Sequence, residues 1–153
     1  MPRLLNGSRA SSVILLTNIS GPTAANNHTV AFSAYINGHS NVKASKDSLV
    51  PFREVLTNAG GAYDHLSSSF TAPVSGQYFF IVHADCSEDY QSLSINLNGH
   101  KVASADNDGE DRHVTGSGLL TLNVGDVVST SHYASNGFLD GGRESTFTGF
   151  LVK

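Results

Sequence analysis

Apolar and polar residues alternate along most of this chain, and apolar positions never recur at helical spacing over eleven or more residues. A period of two places alternate side chains on opposite faces of a strand, so the pattern predicts strands and no helix. Val30, Phe32, Ala34 and Ile36 share one strand face, and Asn37-Gly38 follows as a turn. Leu93, Ile95 and Leu97 share another, ending at Asn98-Gly99. That dipeptide signals a two-residue hairpin, because a type I′ turn needs positive φ at both centres. A regular ladder from this turn sets Ile95 opposite Val102. Leu120, Leu122 and Val124 run into Gly125-Asp126, Val127 and Val128 begin the next strand, and 147–152 is the last. Strands spaced about ten residues apart, with turns between, predict an all-β sandwich or jelly roll.

Residues 76–84 break the alternation. Even positions carry Tyr78, Phe80, Val82 and Ala84, yet odd positions carry Phe79 and Ile81. A strand on a sheet with one wet face should be polar on that face. The second face is therefore covered, either by this chain or by another subunit.

Composition narrows the class. A length of 153 residues suits one domain that needs no staples to build a core. Charged residues are only 14%, but eight Phe and five Tyr supply apolar area that a disordered chain lacks. The net charge is −4 with no basic stripe, which argues against a nucleic-acid partner. No apolar run approaches the roughly 18 residues of a membrane span, so no membrane insertion is expected. The single cysteine, Cys86, permits no internal disulfide; it reads as a small buried core residue, with an intermolecular bridge as the alternative. Residues 1–28 are polar and irregular apart from Val13, Ile14, Leu15 and Leu16, a patch too short for the apolar region of a signal peptide. Asn6, Asn18 and Asn27 each head a glycosylation triplet, a weak pointer to secretion. We read 1–28 as an extension with room for one strand, lacking any Gly-x-y collagen repeat, and 29–153 as the globular domain.

Seven residues fall at a recognisable spacing: Phe52, Asn58, Tyr63, Phe70, Gly76, Tyr78 and Phe80. With flanks at 30–34, 116–120, 125–127 and 145–151, they resemble the globular C1q domain of complement, a branch of the C1q and tumour-necrosis-factor-like superfamily. The resemblance covers about residues 29 to 153 and departs at Val82, where the family prefers Phe or Tyr. It implies a ten-stranded jelly roll that packs as a homotrimer. The two-faced strand agrees: Tyr78, Phe79, Ile81 and His83 become the expected trimer-interface residues.

Candidate chemistry is sparse. Asp64, His65 and the serines at 67–69 are adjacent in sequence, but adjacency is not a triad, and we expect no enzyme. The seven histidines show no close pair at zinc-ligand spacing. His83 continues the face of Phe79 and Ile81, so three copies near a trimer axis would hold a metal or sense pH. Asp106, Asp108 and Asp111 form the best calcium candidate, four carboxylates falling within the six residues 106–111. The resemblance supports this, since some relatives bind calcium through acidic loops near the top of the trimer. Three loops, 85–91, 106–113 and 136–144, offer polar groups and an aromatic to a ligand: Asp89, Tyr90, Arg112, His113, Asp140 and Arg143. Asp126 reads as a turn residue.

The resemblance implies a secreted, trimeric recognition module for glycans or other microbial surface patterns. Its rivals are a cytokine-like ligand of a cell-surface receptor and a matrix protein assembling through Cys86 or residues 1–28.

Overall fold

The computed structural model describes residues 29–38, 42–86, 91–107, 111–133 and 137–152. The expected extension, residues 1–28, lies outside them. The described residues contain strands and no helix. One sheet has five antiparallel strands in the order β10 (His113–Leu122), β7 (Gly76–Asp85), β13 (Gly142–Val152), β1 (Ala31–Ile36) and β4 (Glu54–Ala59). The second runs β5 (Tyr63–Asp64), β6 (Ser69–Thr71), β11 (Val127–His132), β8 (Ser92–Leu97) and β9 (His100–Asp106). These two paths make the ten strands of a jelly roll. β3 (Ser48–Leu49) adds to β11, and β2 (Val42–Ala44) pairs with β12 (Gly137–Leu139) as a separate ribbon.

The expected faces meet between the two sheets. Val30, Phe32, Ala34 and Ile36 are all buried, as are Leu93 and Ile95. The spaced fingerprint is mostly core. Phe52, Tyr63, Phe70, Tyr78 and Phe80 are buried, and Phe32 sits among the aromatic rings. Its centroid lies 4.4 Å from Tyr63, 5.4 Å from Phe70 and 5.0 Å from Phe147. Asn58 serves by hydrogen bonding instead. Its amide donates to Tyr63 O at 2.8 Å and its Oδ1 accepts from Tyr63 N at 3.1 Å, while Tyr63 Oη donates to Phe52 O at 2.7 Å. Burial pushes the Tyr63 phenol above its usual range, so it stays a neutral donor.

Four expectations need correction. Tyr78 belongs to the core and not to an interface: it faces the second sheet and donates from Oη to Val74 O at 2.8 Å. The Asn98-Gly99 turn forms with positive φ at both centres, 50° and 81°, but Ile95 pairs with Ala103. A β-bulge after the turn makes Val102 the extra residue and shifts the register by one. Val124 is exposed, because β10 ends at Leu122. The last strand begins at Gly142, and Gly137–Leu139 forms its own short strand, so the loop predicted at 136–144 is much shorter.

Asp126 is a turn residue, as expected. Its carboxylate accepts from Asn123 N at 2.8 Å and Asn98 Nδ2 at 2.9 Å, and Asn98 Oδ1 accepts from Val127 N at 2.9 Å. Two turns at one end of the sandwich are thereby tied together.

His132 is fully buried at the end of β11, with Nε2 hydrogen-bonded to Gln91 Oε1 and Nδ1 without a partner. Burial lowers its pKa, since a charged imidazole is poorly solvated there. The unfolded chain then binds this proton more readily than the folded one, so the contribution is complete above pH about 6.5 and fades as pH falls below it. The thermal midpoint should drop between pH 7 and 5, and His132→Gln should flatten that slope. Parallel slopes would remove His132 as its cause.

Candidate functional site

The described bases of the three loops singled out from the sequence meet at one end of the sandwich. Cys86 N donates to Arg112 O at 2.7 Å, and Asp140 N donates to Asp85 O at 2.8 Å. Gln91 and Asn107 pair across the same end, Gln91 N to Asn107 Oδ1 at 2.7 Å and Asn107 N to Gln91 O at 3.1 Å. Asn107 Nδ2 then donates to Asp111 O at 2.6 Å. Buried Asn107 thus clamps the bases of two loops and satisfies backbone groups that would otherwise be orphaned.

Around this clamp, Asp111, Arg112, His113 and Arg143 are exposed and Asp140 is half-buried. The Arg143 guanidinium stands 5.9 Å from the Tyr35 ring centre, beside a shallow hollow lined by Asn37, Gly38 and Glu144. Asp106 accepts from Tyr133 Oη at 3.1 Å. Asp89, Tyr90 and Asp108 lie outside the described residues, so the calcium set is represented by Asp106 and Asp111 alone.

On the outer face of β8, β9 and β11 runs a groove of about 510 Å³ with Asp47, Ser94, Asn96, Lys101, Ser131 and Tyr133 in its wall. Lys101 Nζ lies 3.8 Å from the Tyr133 ring centre. The sequence pointed to loops and missed this groove. A signal existed in Ser94 and Asn96, polar residues alternating with Leu93 and Ile95, but an outward polar face is what any half-buried strand shows.

The outer face of the five-stranded sheet is graded. At one end Leu119, Phe79 and Phe150 align across β10, β7 and β13. Phe79 and Phe150 meet at a tilt of 48° with centroids 5.6 Å apart, while Phe150 remains 42% and Leu119 58% exposed. The next row is Ser117, Ile81, Thr148 and Ser33. Toward the loops the face becomes titratable, with Thr115 opposite His83 and His113 opposite Asp85. His113 Nδ1 hydrogen-bonds Asp85 Oδ1, and His83 Nε2 lies 3.3 Å from the same oxygen. No spacing in the sequence announces the His83–His113 neighbourhood, since the two lie thirty positions apart and meet only through strand pairing.

Residues 31–152 match the family model for the C1q domain. The chain belongs to the C1q domain family. It is 35% identical to one of the subunits of the mouse complement C1q subcomponent over 109 residues, covering 69% of this chain and 44% of that relative. The chain thus spans less than half the length of that curated relative. Among solved structures, the globular domain of zebrafish complement 1qA protein superposes with a TM-score of 0.65 at 25% identity, covering 82% of this chain and 98% of that one. The Eiger tumour necrosis factor of S. frugiperda gives a TM-score of 0.66 at 12% identity, covering 82% and 93%, which shows the shared fold. The C1q fingerprint is thereby explained by the aromatic core and the Asn58–Tyr63 lock.

Cys86 is fully buried and unbridged. Burial first, then the charges of Asp140 and Asp85, push its thiol up to about 12, so almost no thiolate exists at neutral pH. This placement agrees with the expected small core residue and argues against the alternative of an intermolecular bridge. Asp64 and Ser67 are likewise structural. Ser67 Oγ donates to Asp64 Oδ2 at 2.7 Å and Leu66 N to Oδ1 at 2.9 Å, an Asx-type turn that holds the carboxyl below its usual range.

Proposed function

We propose that this C1q-family chain is a secreted homotrimeric recognition module that binds carbohydrate or other microbial surface patterns through the loop end of the sandwich. One observation carries the reading: the bases of the three polar loops named from the sequence are joined there, by Asn107 and by the Cys86–Arg112 and Asp85–Asp140 hydrogen bonds. Sugars are gripped by planar polar groups beside an aromatic face, and Arg112, Asp140, Arg143 and Tyr35 supply both kinds on a rigid scaffold. Asp89 and Tyr90 belong to the same loops.

Trimers are typical of this family, and the row Leu119, Phe79, Phe150 with Ile81 beside it suits an apolar subunit contact. His83 sits on the same face. Closing that face threefold points three loop ends the same way. Shallow single sites then gain avidity through effective concentration. Calcium enters as a proposed cofactor of Asp106, Asp108 and Asp111, whose carboxylates suit an oxygen-loving ion.

The test is binding to immobilised glycans and bacterial lipopolysaccharide, with and without calcium. Wild type should bind at least one surface, and Arg143→Ala should weaken that binding several-fold at unchanged thermal stability. A blank panel on all surfaces contradicts the recognition reading and leaves a receptor ligand as the stronger alternative. If Asp108→Ala and wild type give equal calorimetric heats with calcium, the acidic loop is not a calcium site.

A further inference from the structure

We propose that His83, Asp85 and His113 form a binding site for a borderline divalent metal ion, zinc foremost, on the outer face of the five-stranded sheet. Among the described residues these three bring one ligand atom each within 4.8 Å of one another. The placement is dictated by the sheet. His83 and Asp85 are two apart on β7 and so point to the same side, and His113 is the direct cross-strand partner of Asp85 on β10.

The spacing suits zinc. With metal–nitrogen and metal–oxygen bonds of roughly 2.0–2.1 Å, neighbouring donors around a tetrahedral ion stand about 3.3 Å apart. His83 Nε2 and Asp85 Oδ1 are already 3.3 Å apart. His113 hydrogen-bonds the same oxygen, and its side chain is 63% exposed, so a small rotation opens the gap for an ion.

The surroundings orient the ligands as a metal site requires. His83 Nδ1 meets the Thr115 hydroxyl at 2.7 Å. In the tautomer where Nδ1–H donates to that oxygen, Nε2 keeps its lone pair and faces Asp85. The Asp85 backbone is held at both ends, its N donating to Ser145 Oγ at 3.1 Å and its O accepting from Asp140 N at 2.8 Å. The two imidazole rings stack at 5.8 Å with planes 22° apart, so both are presented from one side.

Donor chemistry selects the ion. Two imidazoles and one carboxylate suit zinc, copper or nickel. Calcium asks for six to eight oxygens, and this cluster offers one carboxylate. The site is therefore distinct in residues and in chemistry from the acidic loop at 106–111. Three protein donors leave a fourth position open to water or to a donor group of a bound molecule. Each chain carries the whole set, so the inference does not rest on the recognition reading.

The experiment is calorimetric titration of untagged, chelator-treated protein with zinc chloride, followed by X-ray absorption at the zinc edge. We expect one zinc per chain and a first shell containing two imidazoles. His113→Ala should weaken binding about 100-fold or more, and Thr115→Val about 10-fold through loss of the orienting hydroxyl. His65→Ala and His100→Ala, at exposed histidines elsewhere, should leave the affinity unchanged. Should His83→Ala fail to fold, the exposed His113 still carries the test. Zinc binding that is absent, or equally strong in His113→Ala, overturns the proposal.

Discussion

Phe32→Ala should remove about 3–5 kcal/mol of folding stability, the range for truncating a buried aromatic ring. That is a large fraction of the roughly 5–15 kcal/mol that holds a typical domain together. Phe32 justifies the upper end because it touches rings from several strands: Tyr63 lies nearly parallel at 4.4 Å, and Phe147 meets it edge-on at 5.0 Å. Such pairs add about 0.5–1.5 kcal/mol beyond area burial. The same region is sensitive to added bulk. A Cβ on Gly149 would stand 2.5 Å from Phe80 Cδ1 and 2.7 Å from Phe32 Cε1, so Gly149→Ala should cost roughly 1–3 kcal/mol by overpacking. Urea unfolding at a fixed chain concentration checks both, since assembly makes the midpoint concentration-dependent. A loss below about 1 kcal/mol for Phe32→Ala would mean the aromatic cluster is not the centre of the core.

On the proposed trimeric recognition reading, Phe79→Asp should leave the chain monomeric and lower binding to a dense glycan or lipopolysaccharide surface by about 10²-fold or more, the scale of avidity lost with multivalency. Phe79 is central in the apolar row of the outer face, flanked by Leu119 and Phe150. A carboxylate buried there without a partner is strongly unfavourable in an apolar contact. The core should survive, because Phe79 points away from it. Sedimentation velocity with circular dichroism separates loss of assembly from loss of fold. A folded Phe79→Asp trimer with full avidity would exclude this face as the subunit contact.

The scaffold was legible where its physics is local. Alternation marked Phe32, Ala34 and Ile36 as a core face, and all three are buried. Asn98-Gly99 announced its hairpin, because few residue pairs tolerate two positive φ values. The spacing from Phe52 to Phe80 points to the C1q family, because five of its seven positions are buried in the core and Asn58 locks Tyr63 beside it. What escaped depends on register and on strand order. The bulge at Val102 is one extra residue that no periodicity shows. Tyr78 and Phe79 cannot share one interface, because neighbours in a strand face opposite ways, and Tyr78 is buried in the core. The strand order β10–β7–β13 adds Leu119 and Phe150 to Phe79, and His113 to His83 and Asp85, and spacing along the chain shows neither addition. The loop end was half legible: polar residues and glycines marked the loops, while the Asn107 clamp that brings them together is a tertiary contact.

The central claim is that an apolar outer face closes three chains into one body and so presents three loop ends together. The most direct test is the mass of the wild-type protein by light scattering at micromolar concentration. The account predicts three times the 16.1 kDa chain mass, unchanged on dilution. A monomer at that concentration would contradict it.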